Sequence, residues 1–148
     1  MKSAICLAST LMLAVIMSIG LFSCSEKKKE GKVIVTESKF ALRQDSEKAY
    51  VIDATGKVKN VGDVDVKNVV VTGFCRSCIE MIKPGYWFVS GANKTPEQKY
   101  TIPYLAVGEE KEFNFKEVAF MYNTVSEKPK SMPDKLEAVV ESFETAGK

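Results

Sequence analysis

Cys75-Arg76-Ser77-Cys78 sets two thiols three positions apart in a 148-residue chain that contains no histidine. Three chemistries suit such a pair. In an oxidising compartment the two sulfurs join as a disulfide, the reading we favour. The closed loop is short, so the gain in chain entropy is small and the bridge acts as a local pin. A redox-active dithiol is the second possibility, but such centres use a helix N-terminus to depress the thiol pKa. This pair instead follows the β-branched run Val69-Val70-Val71-Thr72. Metal capture is the third. Two thiolates without histidine make half of a tetrahedral site, which carboxylates, Met81 or a second molecule would have to complete. The absence of histidine also excludes Ser-His-Asp and Cys-His nucleophiles. Ile79 after Cys78 excludes a haem attachment signature. No catalytic residue and no metal ligand is predicted, and the expectation is a protein that is not an enzyme.

Aromatic side chains form the second candidate. Tyr86-Trp87-Phe88 are consecutive, and on a strand at least one of three successive rings points away from the core. Together with Arg76 they are the predicted partner-binding residues. Tyr100 and Tyr104 would extend them into a platform for a glycan or peptide, and Lys83 would add a cation near the cysteine loop. Core and edge packing is the commoner use of such rings.

These residues need a scaffold, and the chain reads as strands broken by turns. Expected strands are Lys32–Leu42, Ala49–Asn60, Val66–Phe74, Tyr86–Ser90, Lys99–Leu105 and Glu110–Phe120. Ile52, Ala54 and Val58 recur at even spacing, and Phe113, Phe115 and Val118 are candidate core contacts. Lys83-Pro84-Gly85-Tyr86 has the signature of a type II turn. Leu136–Phe143 has residues suited to helix or strand; Pro133-Asp134 before it and the β character of the rest favour a closing strand. The predicted fold is all-β, an antiparallel sandwich of about seven strands.

The N-terminus has a different composition. Lys2 is followed by apolar Ala4–Phe22, then Ser23 and Cys24, and then the charged run Ser25-Glu26-Lys27-Lys28-Lys29-Glu30-Gly31-Lys32. That order is a secretory signal, and Leu21-Phe22-Ser23-Cys24 resembles the lipobox of bacterial lipoproteins. The resemblance implies cleavage before Cys24 and a diacylglycerol and N-acyl lipid on that residue. An uncleaved span and a signal without lipid are the alternatives. The expected organisation is residues 1–23 as signal peptide, 24–32 as lipidated cysteine and tether, and 33–148 as the sandwich. Ser25 after the cysteine, where aspartate often marks inner-membrane retention, favours an outer membrane.

Gly56-Lys57-Val58-Lys59-Asn60-Val61-Gly62, then Val66-Lys67-Asn68-Val69-Val70-Val71, then Leu105-Ala106-Val107-Gly108-Glu109 with Phe113-Asn114-Phe115, resemble small immunoglobulin-like domains of bacterial envelope proteins, the FxLYD type among them. The resemblance implies an immunoglobulin-like sandwich and transfers no catalytic residue. Basic residues are spread along the chain, and no nucleic-acid footprint is predicted. The expected function is a lipid-anchored envelope protein whose domain binds or supports an envelope protein partner. A thiol redox or metal-binding protein using Cys75 and Cys78 is the alternative. No cofactor beyond the lipid on Cys24 is expected.

Overall fold

Period-two burial divides the chain into strands, as the alternation of apolar and polar residues requires. The computed structural model describes residues 29–89 and 93–147. The signal segment, Cys24, the tether through residue 28 and Ser90 lie outside the described residues. Seven strands follow in order: β1 (Val33–Ser46), β2 (Ala49–Asn60), β3 (Val66–Cys75), β4 (Trp87–Phe88), β5 (Lys99–Leu105), β6 (Glu110–Tyr122) and β7 (Leu136–Thr145), with a 3-10 turn at Pro96–Gln98. They form an all-β sandwich of two antiparallel sheets, ordered β1-β2-β6-β4 and β5-β3-β7. β1 runs on to Ser46, beyond the expected Leu42. β4 is only Trp87–Phe88, so Tyr86 falls outside it. Leu136–Thr145 is a strand because β3 offers it an edge over its whole length, from Cys75↔Leu136 to Val66↔Thr145. Tertiary pairing outweighs its helix propensity there.

The core lies between the sheets. Ile52, Ala54 and Val58 from β2 meet Val66, Val69 and Val71 from β3, with Ile102, Leu105, Phe113, Phe115 and Val118 beside them. Each large apolar side chain fully buried here contributes about 1.5–3 kcal/mol. Gly56 marks a close approach: a Cβ there would stand 2.1 Å from the Glu37 carbonyl oxygen and 2.6 Å from the Phe113 ring.

Two poles result. At one, the entering segment pairs with the β2–β3 turn through Val61 N–H to the Lys32 carbonyl (2.7 Å) and Asp63 N–H to the Glu30 carbonyl (2.9 Å). The end of β7 returns to the same turn, Ala146 N–H donating to the Asp65 carbonyl. The β1–β2 hairpin, the cysteine pair and β4 lie at the other pole. A twelve-residue strand such as β2 separates the two by about 35 Å.

Asn60, fully buried, organises the entry pole. Its amide nitrogen donates to the carbonyls of Val64 (2.8 Å) and Leu105 (3.2 Å), and its amide oxygen accepts from Gly62 N–H (3.0 Å). Asn68 reaches the Glu144 carboxylate (3.1 Å) from a left-handed backbone (φ 51°).

Replacing Asn60 with alanine would strand buried backbone groups, each costing about 1–3 kcal/mol. The expected result is a stability loss in that range or above, with an unchanged m-value, measured by urea unfolding. Acid should act on the same pole. Asp65 accepts from the Tyr104 hydroxyl and the Val107 amide, which hold its carboxyl below the usual aspartate value, the hydroxyl contributing most. Glu109 is lowered chiefly by the Ala106 amide and then by Lys111. Lowered pKa values stabilise above the usual carboxylate range and lose that effect as pH falls through them. Corrected for intrinsic exchange rates, amide protection at Ala106 and Val107 should be full near about pH 6 and decline below the carboxylate range.

Candidate functional site

Cys75 ends β3 as a buried residue, and Cys78 packs half-buried on the core. Their sulfurs are bonded, with the Cα atoms 5.4 Å apart. The two residues between them are tied to the start of β7. Arg76 N–H donates to the Lys135 carbonyl (2.8 Å), and the Ser77 hydroxyl accepts from Lys135 N–H (3.3 Å). The Arg76 side chain pairs with Glu137 and lies 5.1 Å from the Phe74 ring centroid. Lys94 approaches the same ring at 4.7 Å and donates to the Gly73 carbonyl; burial lowers its pKa. Cys75 closes a strand rather than opening a helix, and the neighbouring guanidinium is already engaged by a carboxylate.

Beyond the staple, the chain makes one bridge and then projects. Ile79 bridges Phe88 through Ile79 N–H to the Trp87 carbonyl (3.0 Å) and Val89 N–H to the Ile79 carbonyl (3.2 Å). Glu80-Met81-Ile82-Lys83 then stands out from the fold, with Met81 79 % and Ile82 73 % exposed. Lys83-Pro84-Gly85-Tyr86 closes the loop as the expected turn. Gly85 has φ 80°, and Tyr86 N–H donates to the Lys83 carbonyl (3.2 Å). Ile79, Met81, Ile82 and Tyr86 line one shallow, mainly apolar surface.

The four predicted binding residues divide here. Tyr86 is half exposed, and the Lys83 ammonium stands 4.3 Å from its ring centroid. Trp87 packs against the core and donates from Nε1 to the Ser131 carbonyl (3.1 Å), anchoring the β6–β7 connection. Phe88 stacks on Phe120, with centroids 5.7 Å apart. Arg76 is exposed but held by Glu137. Tyr104 is at the entry pole, bonded to Asp65, so the five aromatic residues do not form one platform. Met81, weighed only as a group completing a metal site, and Ile82 were not among the predicted partner-binding residues. The signal available was an apolar pair between Glu80 and Lys83, inside a short segment closed by a cysteine pair and a proline-glycine turn.

The site exposes apolar surface flanked by the Glu80 carboxylate on one side and the Lys83 ammonium on the other. Among the described residues, no group of three or more Asp, Glu, Cys or His side chains is placed to hold a metal ion. No described helix is long and apolar enough to cross a membrane.

The staple closes a loop of only four residues, for which the chain-entropy relation gives about 2 kcal/mol. Replacing both cysteines with serine should lower global stability by about that amount. Amides that exchange by global unfolding should then accelerate by about 30-fold throughout the core, and those between Arg76 and Phe88 should accelerate further through local opening; no excess in that segment would contradict a local pin. No protein-family model, curated protein or solved structure matches this chain.

Proposed function

We propose that this is a lipid-anchored protein of the bacterial cell envelope whose sandwich presents the Met81–Ile82–Tyr86 projection to a partner protein. In this reading Cys24 carries the diacylglycerol and N-acyl lipid, and residues 24–32 are the tether. The membrane is an outer one where the organism has it, and the domain is a binding or accessory module. The observation that carries the proposal is polarity. The chain enters the sandwich at the pole formed by the Val61–Asp65 turn, while the exposed apolar projection stands at the opposite pole. A tether at the first pole holds the second away from the membrane surface, facing other envelope components. Two or more acyl chains are needed for a firm hold at about 0.8 kcal/mol per buried methylene. The cysteine bridge supports the same reading, because it fixes the base of the projection and so lowers the entropy cost of ordering it on binding.

Two measurements on the full-length protein in its own membrane test the proposal. Cys24→Ser should abolish labelling by a radioactive fatty acid. A photoreactive residue at Tyr86 should form one saturable protein adduct. Burying Met81 and Ile82 is worth about 1.5–3 kcal/mol each, so Met81→Asp with Ile82→Asp should reduce that adduct at least about tenfold. Fatty-acid label retained by Cys24→Ser, or absent from the unsubstituted protein, would overturn the anchor, and an adduct indifferent to the double substitution would overturn the contact surface.

A further inference from the structure

We infer that the side of the sandwich between β1 and β7 is a strand-addition site for an extended, lysine- or arginine-bearing segment of a partner protein. The two strands face each other as edges of opposite sheets, yet they share no ladder: β1 pairs with β2, and β7 pairs with β3. Among the described residues, each strand therefore keeps one row of backbone donors and acceptors outside the sheet. Such rows are a template for another strand.

The core is less covered here than elsewhere. Val35, Phe40 and Leu42 on β1 and Leu136, Ala138 and Val140 on β7 pack against the core but remain half-buried. Edge position alone does not account for this. β5 is also an edge, and although its Tyr100 is half-buried, its Ile102 and Leu105 are 2 % and 0 % exposed. Leu136, Ala138 and Val140, the residues of β7 that pack on the core before its irregularity, recur at every second position, the spacing that an added strand with alternating apolar side chains would match.

Charge selects the occupant. β7 carries Glu137, Glu141 and Glu144 and neither lysine nor arginine. Lys67, Arg76 and Lys99 each meet one of these carboxylates, which stay 39–60 % exposed. A second copy of this chain paired through β7 would set an acidic strand against an acidic strand, and like charges across a ladder are destabilising. A strand with lysine or arginine on its outward face and valine, isoleucine or leucine on its inward face fits both features. This site is separate from the Met81–Ile82–Tyr86 projection and stands or falls apart from it.

Hydrogen exchange on the protein with two synthetic peptides tests the inference, one alternating lysine with valine and the other glutamate with valine. The lysine peptide should slow exchange of the β7 amides at least tenfold, and the glutamate peptide should not. Val139→Lys adds a cation to the outward row of β7 and should weaken the lysine peptide at least fivefold. Lack of protection at β7, or equal protection by both peptides, would overturn the inference. So would β7 protection that grows with protein concentration in the absence of peptide, which would identify a second copy as the occupant.

Discussion

A single buried amide joins the two sheets at the pole where the chain enters. Asn60 ends β2 in one sheet, yet its side chain reaches the carbonyl of Leu105 at the end of β5 in the other. Its own backbone continues the connection, with N–H donating to the Glu109 carbonyl and the carbonyl accepting from Gly108 N–H. The turn after β2 is closed by the same side chain through Gly62 and Val64. Apolar burial holds the sheets together without direction, and this residue supplies the direction. It sets where β2 ends and how far β5 runs before β6 begins, and the strand registers above it follow.

A second polar contact works at mid-height on β6. Glu117 has a left-handed backbone (φ 63°) at the irregularity where β6 shifts against β2, a conformation that costs a non-glycine residue about 1–2 kcal/mol. Its N–H reaches the Asp53 carboxylate (3.1 Å), which is itself paired with Arg43, and its carbonyl accepts from the buried side chain of Gln98 (3.1 Å). The bulge leaves Val118 and Ala119 pointing inward as consecutive core residues. Gln98 also places the start of β5, because its side-chain oxygen accepts from Thr95 N–H (2.9 Å).

The legible parts of the molecule were those governed by local chemistry. Even spacing of Ile52, Ala54 and Val58 identified a core face, and Pro84-Gly85 identified a turn whose φ 80° glycine bears it out. The closing strand was legible mainly through the β character of its surroundings. Features set by distant partners were not. Glu117 carries no mark of its left-handed backbone, since Asp53 and Gln98 impose it from far along the chain. The aromatic run suggested a surface, but Trp87 and Phe88 are engaged by Ser131 and Phe120. That left Tyr86 and the adjoining Met81 and Ile82 at the surface. An exposed methionine and isoleucine resemble core residues in sequence, and only their position in the fold distinguishes them.

The entry of the chain at one end of β1 also has a mechanical meaning. β1 runs from the pole of entry to the far pole and is held along its length by β2, from Val33↔Asn60 to Ser46↔Ala49. Tension between the entering segment and the far pole acts along the strand, across hydrogen bonds that lie perpendicular to it. The ladder is then loaded in shear, with its bonds sharing the force together. A pull at right angles would open them one at a time, like a zipper. The same fold is therefore stiffest along the line on which a tethered domain would be stretched by whatever it holds.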